Sequence, residues 1–449
     1  MMEGEAGAVR TGPSEASPYS RRQALVVVAV MALVTLTLGL VIMPMNVMVD
    51  PIRETLRISD LQISLLLGAV AAAPFVVMSL AGGWLSDRLS RRLLLVAAVV
   101  SWTLGAALCA TAGSYETFLV GRVLVNVGAG LQMPVALTWI NDAFPPAQRG
   151  RAVGAFFVVL GVGPALSVML AGVAQRAAEG DAFASWAAFL GPEAWRAATL
   201  VLALPSLLTV LAVLGLPDRR SASARAAEGA GARATPALPL GLIGTLVAAA
   251  SLIAMVDGAN LAWMATVFTR DHGYDARQAG FAFGLVTFVA GSLGPLAGGW
   301  LGDMLYRRHG TVGRVWLAAV ACLCCAPLLA AYAVKAPGWL TLALVLNGMC
   351  TMAALSSTYI NAQALLPDGA RGLGTGVIVA TTAILGSAGP TLVALSSEHL
   401  LAGPMVLPRS IALVGACGSL LAATVLAAGA LRLRRSGTNT GPARTRQIT

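Results

Sequence analysis

The chain is short of charge. Lys, Arg, Asp and Glu make up 11% of its 449 residues, aromatic residues reach 6%, and there are three histidines. An ordinary soluble domain carries about a quarter of its residues as charges, so this scarcity excludes a conventional hydrated surface. The histidines, His272, His309 and His399, fall in separate loops. There is no Ser-His-Asp order, no phosphate-cradling loop and no carboxylate pair suited to hydrolysis, so no enzymatic activity and no cofactor are expected. The cysteines Cys109, Cys322, Cys324, Cys325, Cys350 and Cys417 sit among Leu and Ala inside apolar runs, without the spacing of a disulfide framework or a metal site, and read as packing residues. The formal charge of +10 is scattered in short clusters between apolar runs rather than gathered into a patch, which argues against a nucleic-acid partner.

What the chain has in abundance is apolar length. Hydrophobic residues account for 57% of it, and the mean hydropathy is +0.79, values that belong to a protein crossing a lipid bilayer many times. Twelve apolar runs are expected as helices. The first six are about Ala24 to Val49, Asp60 to Gly83, Leu93 to Ala112, Glu116 to Ile140, Arg151 to Ala174 and Trp195 to Leu216. The second six are about Leu240 to Phe268, Gln278 to Gly302, Val312 to Ala333, Trp339 to Ile360, Gly372 to Ser396 and Ile411 to Leu431. At about 1.5 Å per residue each is long enough to span the hydrocarbon. Ser59 followed by Gln62 forms a capping arrangement at the start of the second.

The expected organisation is a disordered cytoplasmic tail over residues 1–22, a six-helix bundle over 23–216, a linker over 217–239, a second six-helix bundle over 240–433 and a disordered basic tail over 434–449. Most basic residues fall on one side of this scheme, among them Arg21, Arg22, Arg88, Arg91, Arg92, Arg149, Arg151, Arg307, Arg308, Arg314 and Arg432. Arg53, Arg57, Arg176, Arg270, Arg277, Lys335 and Arg409 form a sparser set on the other. By the positive-inside rule both termini are cytoplasmic.

One stretch organises the rest. Gly83-Trp84-Leu85-Ser86-Asp87-Arg88-Leu89-Ser90-Arg91-Arg92 returns as Gly299-Trp300-Leu301-Gly302-Asp303-Met304-Leu305-Tyr306-Arg307-Arg308, each copy between apolar runs. The glycines admit a neighbouring helix, the acid suits a helix N-terminus, and the arginines hold the loop at the cytoplasmic face. A second echo, Asn141 to Gly150 against Asn361 to Gly372, follows in the same order, so the chain is two related halves. The repeated loop resembles the signature of the major facilitator superfamily of secondary transporters, with Ser90 where glycine is usual. That resemblance implies two six-helix bundles around a central cavity and transport by alternating access. It further implies gating hinges at Gly83, Asp87, Arg88 and Arg91 and at Gly299, Asp303 and Arg307, with Asp87 acting on the start of the eleventh helix and Asp303 on the start of the fifth.

Charges inside helices are costly and point toward a cavity or a partner. Arg122, in Gly121-Arg122-Val123-Leu124-Val125-Asn126-Val127-Gly128, resembles the superfamily's fourth-helix arginine motif and suits an anionic substrate group or a carboxylate. A snorkelling arginine is the structural alternative. Asp257 lies in the seventh helix with Asn260 one turn on, and a carboxylate at that depth is the candidate proton-coupling residue. A cap or an interhelical bond is the plainer reading. Asn46, Asp50, Asn126 and Gln132 are candidates for the same polar lining, or for ties between helices. Gly161, Gly163 and Pro164 in the fifth helix predict close packing and a bend.

The stretch Val49-Asp50-Pro51-Ile52-Arg53-Glu54-Thr55-Leu56-Arg57-Ile58-Ser59-Asp60-Leu61-Gln62, together with the repeated loop after the second helix, looks like the start of the spinster-like branch of that superfamily. This implies a lysolipid, a sphingolipid-type amphiphile or another organic anion as substrate, often with protons as coupling ion. Val41-Ile42 replaces the branch's usual acid-arginine pair, and Ala129 stands where it carries a glutamate. If protons are coupled here, Asp257 or Asp50 carries them. The expected setting is a monomer in a bacterial inner membrane, with a small-molecule or lipid substrate; a multidrug or cation exporter, a carboxylate nutrient–proton symporter and a non-transporting lipid-binding sensor are the alternative readings.

Overall fold

A computed structural model describes residues 19–144, 146–180, 190–219, 240–334, 336–365 and 371–435, and within these the chain is helix and connecting turn. The first half comprises α1 (Arg21–Ile42), α2 (Val49–Leu56), α3 (Asp60–Leu67), α4 (Ala69–Arg88), α5 (Arg91–Ala110), α6 (Tyr115–Ala143), α7 (Pro146–Ala178), α8 (Ala194–Ala203) and α9 (Pro205–Leu214). The second comprises α10 (Leu240–Arg270), α11 (Ala276–His309), α12 (Thr311–Ala330), α13 (Pro337–Ala364), α14 (Arg371–Gly386), α15 (Ala388–His399) and α16 (Val406–Arg435). Short 3-10 turns follow α1 and α12. Grouped by length and composition, the described residues contain 12 spans able to cross a membrane.

Local chemistry sets many of the starts. Capping boxes at Ser20 and Gln23, Ser59 and Gln62, and Asp275 and Gln278 begin α1, α3 and α11. Three spans that read as continuous in the sequence are broken: the second at Gly68, the sixth at Leu204 before Pro205, and the eleventh at Ser387. The expected tails and linker lie largely outside the described residues, at 1–18, 220–239 and 436–449. At their edges the chain is ordered: α1 starts at Arg21 and α16 runs to Arg435. Tyr19 is buried because its hydroxyl accepts from Trp139 Nε1 at 2.9 Å and from the Arg219 N–H at 2.9 Å.

Leu25, Val77, Leu104, Leu208, Leu296 and Leu323 all project outward and exposed, an apolar perimeter that water would not tolerate and lipid does. Inside, the apolar core is unevenly divided. Around Met48, Val168, Trp263, Phe268 and Phe283 one cluster joins both halves, whereas a cluster around Trp102 and Trp139 belongs to the first half and one around Val315 and Leu426 to the second. The shared core lies at the end of the bundle carrying Asp50, Asp60 and Arg270, the far end. The separate cores lie toward the end carrying Arg88, Arg91, Arg307 and Arg308, the basic end.

Small residues carry the far-end closure. A Cβ on Gly68 would fall 2.3 Å from the Ser387 carbonyl oxygen, and one on Gly172 would fall 2.5 Å from the Ala276 carbonyl oxygen and 3.2 Å from Gly280 Cα. The second span thus meets the eleventh, and the fifth meets the eighth, at backbone distance. Toward the basic end Gly83 and Gly299 have nothing within 4 Å of a Cβ position. Among the described residues the shared core and the close backbone contacts lie at the far end, and the two cores toward the basic end stay within their own halves.

Candidate functional site

Where the seal stops, the halves enclose a cavity of about 320 Å³. Asn46 follows α1, Leu67 ends α3, Arg122 and Asn126 come from α6, Asp257 from α10, Tyr359 from α13, and Thr382 and Ser387 from the eleventh span. The walls are otherwise apolar or small, including Ile42, Leu261, Val379 and Pro390. The breaks at Gly68 and Ser387 face each other at its far-end edge. One structural event, the bending of two spans at their point of contact, both closes the far end and shapes the pocket.

Arg122 sits two turns into α6 and is 4% exposed. Its Nε is buried without a hydrogen-bond partner, and among the described residues no acid lies within ion-pair distance of its guanidinium. Asn126, one turn on, donates from Nδ2 to the Arg122 carbonyl at 2.8 Å. That bond satisfies a backbone group and leaves the guanidinium unanswered.

Asp257 faces the cavity from the opposite half, held by close packing of α10 on the eleventh span. A Cβ on Gly389 would lie 2.1 Å from the Met255 carbonyl oxygen, and one on Gly386 would lie 3.0 Å from Ala254 Cβ. Trp263 Nε1 donates to the Pro390 carbonyl at 3.0 Å, fixing the same pair of helices one turn beyond. No described residue hydrogen-bonds to the Asp257 carboxylate or pairs with it as a cation. Arg122 and Asp257 are the two charged groups among the described residues lining the cavity.

The remaining sequence candidates separate. Asn46 and Asn126 line the cavity with them. Gln132 instead donates from Nε2 to Thr35 Oγ1 at 2.8 Å and ties the fourth span to the first. Asn260 donates to the Val256 carbonyl at 3.0 Å and to Asn347 Oδ1 at 3.4 Å, tying the seventh span to the tenth. Both act as interhelical bonds because they point into a bundle rather than between bundles.

Asp50 is not in the cavity. It accepts from Arg270 Nε at 2.6 Å and from Thr269 Oγ1 at 3.3 Å, while Arg270 also donates from Nη1 to Asp60 at 2.8 Å. Arg53 Nε approaches Asp60 at 3.6 Å, and the Leu61 N–H donates to Glu398 Oε1 at 3.0 Å. The sequence reading missed this far-end latch. The amphipathic α2 and the lone arginine ending the seventh span were its signals, but nothing local says that they meet.

The described hinge residues make contacts within their own half. Asp303 pairs with Arg314 of the adjacent α12 at 2.5 Å, and the side chains of Arg149 and Arg151 at the start of the fifth span lie outside the described residues. Arg91 is 1% exposed and pairs with Asp142 at 2.5 Å. Arg88 lies over the Trp84 ring at 4.1 Å, and Arg307 is exposed at the end of α11. The side chain of Asp87 lies outside the described residues. A Cβ on Gly161 or Gly163 would meet open space, while their carbonyl oxygens lie 3.7 Å from the Cβ positions of Gly291 and Gly39. The tightest contact among the described glycines of α7 is at Gly172, and Pro164 lies inside the helix. Tyr359, Thr382 and Ser387 were not singled out from the sequence, although each is a polar residue inside an apolar run.

Comparisons agree with this architecture. A bacterial homologue of the human lysosomal transporter spinster, in an inward-facing and unoccupied conformation, superposes with a TM-score of 0.78 at 20% identity, over 94% of this chain and 100% of that one. A D-xylose-proton symporter superposes with a TM-score of 0.72 at 17% identity, over 90% and 97%. At these identities the likeness is one of fold. By sequence, the probable sulfoacetate transporter SauU of Cupriavidus necator is 26% identical over 58% of this chain and 60% of its own length. An uncharacterized MFS-type transporter, YhcA of Bacillus subtilis, is 35% identical over 20% of this chain and 17% of its own. The chain thus spans less than two thirds of either relative. The Major Facilitator Superfamily model matches residues 25–390, and the chain belongs to that family.

Proposed function

We propose that this protein is a secondary transporter that moves a small amphipathic organic anion across the membrane by alternating access. The observation that carries the reading is Arg122: a buried, unpaired guanidinium facing a cavity with largely apolar walls between two bundles. Such a group is costly unless something anionic answers it, and a solute from the aqueous side is the available partner. The cavity, about 320 Å³ with mostly apolar walls, suits the apolar part of such a solute, a lysolipid-like one included. The sulfoacetate named for SauU is a small organic anion, which supports the same class.

In this reading the protein works as a monomer in a bacterial inner membrane with both termini cytoplasmic, so the basic end faces the cytoplasm. Rocking of the halves closes that end and releases the far-end latch. Asp257, unpaired in the same cavity, is the residue to carry a coupling proton. Its position also supports a second reading, a cation exporter that depends on Asp257 and not on Arg122.

Flux into proteoliposomes containing the purified protein decides between them. The panel comprises small carboxylates and sulfonates, lysolipids and cationic dyes, with and without an imposed pH gradient. Gradient-driven movement of an acidic solute, lost in R122A and uncoupled or lost in D257N, is the expected result. Dye movement that survives R122A but fails in D257N would replace the anion reading with the exporter.

A further inference from the structure

We infer that the transported solute is a small zwitterion, with its anionic group on Arg122 and its cationic group on Asp257. This inference rests on the reading of the central cavity as the transport site, and goes beyond it by giving the solute a cationic group as well as the anionic one.

Charge accounting in the cavity carries the argument. Its described lining holds one cation, Arg122, and one anion, Asp257, from opposite halves of the molecule. They do not pair with each other, since no ion pair joins them within 4.0 Å. Neither has another protein partner among the described residues, and the Arg122 Nε is buried unbonded.

A plain anion on Arg122 adds a second negative charge to a small space that already holds an unanswered carboxylate. A plain cation on Asp257 does the converse to the guanidinium. A zwitterion answers both charges at once, and the loaded cavity sums to zero, the condition under which charged groups are tolerated at membrane depth. Asn126, Tyr359 and Thr382 line the same space and offer neutral hydrogen-bonding groups to the remainder of the solute.

The placement of the two charges has a mechanical consequence. Arg122 belongs to α6 in the first half and Asp257 to α10 in the second, so a solute that reaches both ties the halves together across the cavity. A singly charged solute binds one half and leaves the other without a charge contact. A solute cation at Asp257 also excludes a proton there, so a coupling proton rides on Asp257 only when the solute is absent, and proton and solute move in opposite directions.

The test compares solutes matched in size that differ in charge. One set is glycine betaine with choline and 3,3-dimethylbutanoate, its cation-only and anion-only counterparts. A second is the series of ω-amino carboxylates and ω-amino sulfonates with increasing separation of charge. Flux and thermal stabilisation are measured for the full-length protein in proteoliposomes and detergent, alongside D257N and R122Q.

The expected result is that at least one zwitterion is preferred over its singly charged counterparts by about tenfold or more, with an optimum in charge separation. D257N should then turn the preference toward the anion-only partner and R122Q toward the cation-only one. These gains distinguish charge recognition from misfolding, which would only lose binding. Wild-type preference for the anion-only solute, unchanged in D257N, overturns the zwitterion while leaving an anion carrier. Stabilisation by none of the solutes together with no flux overturns the zwitterion and the transport reading alike.

Discussion

The two ends of the molecule solve opposite problems. At the far end the halves share one apolar core, meet at Gly68 with Ser387 and at Gly172 with Ala276 and Gly280, and are latched by Arg270 on Asp50 and Asp60. At the basic end each half satisfies its own charges. Arg91 pairs with Asp142, Ser90 Oγ donates to Asp218 at 2.7 Å, Arg92 donates to the Leu216 carbonyl at 2.5 Å, and Asp303 pairs with Arg314. Among the described residues Arg91 and Asp303 keep partners inside their own half, so these pairs do not need the other half.

The two hinge copies are nevertheless unequal. The first is a tight turn at Leu89 and Ser90, with its ion pair buried at 2% and 9% side-chain exposure. The second stays helical through His309 and turns at Gly310, whose φ of 67° suits glycine, and its Asp303 is 63% exposed. The same ten-residue pattern therefore gives a dry clasp in one half and a hydrated contact in the other.

The largest effect should break the dry clasp. Arg91→Ala removes the buried ion pair with Asp142 and should cost several kcal/mol of stability, about 3 or more, whereas Arg307→Ala should stay within about 0.5 kcal/mol. Thermal unfolding of the two variants in detergent measures the gap. Equal losses would show that the copies are equivalent after all.

Next comes the far-end seal. Gly68→Val places a side chain where the Ser387 carbonyl now sits and should open the far end. Labelling of an Asn46→Cys reporter from that side should accelerate about tenfold, a shift of about 1.4 kcal/mol. The control Gly161→Ala meets open space and should leave labelling unchanged. Acceleration by both variants would detach the seal from the glycine contact.

The smallest effect belongs to the latch. Arg270 is 26% exposed and Asp50 24%, so solvent screens the pair. Arg270→Ala should shift the balance between states by about 1 kcal/mol at low salt and by less in high salt, as read from distances between spin labels across the far end. A large, salt-independent shift would mean that the latch, not the apolar core, holds that end shut.

Much of this was open to reading because its causes are local. Hydropathy over a few turns marks a span, Ser59 and Gln62 cap α3 as their spacing requires, and a repeated loop reports a repeated half. Arg122 and Asp257 stood out since a charge in an apolar run must face a cavity or a partner, and the structure brings both to one cavity. Asp50 shows the limit. It is an acid at a helix end like many others, and only the fold sets it against Arg270, 220 residues away.

The breaks at Gly68 and Ser387, the split of the core and the choice of Arg314 as partner for Asp303 were likewise decided in three dimensions. Backbone periodicity and capping depend on residues within a turn or two, so the sequence alone determined that there are twelve spans in two related halves. Which side chains meet across those spans depends on how two bundles lean on each other, and that lean comes from close backbone contacts between residues far apart in the chain.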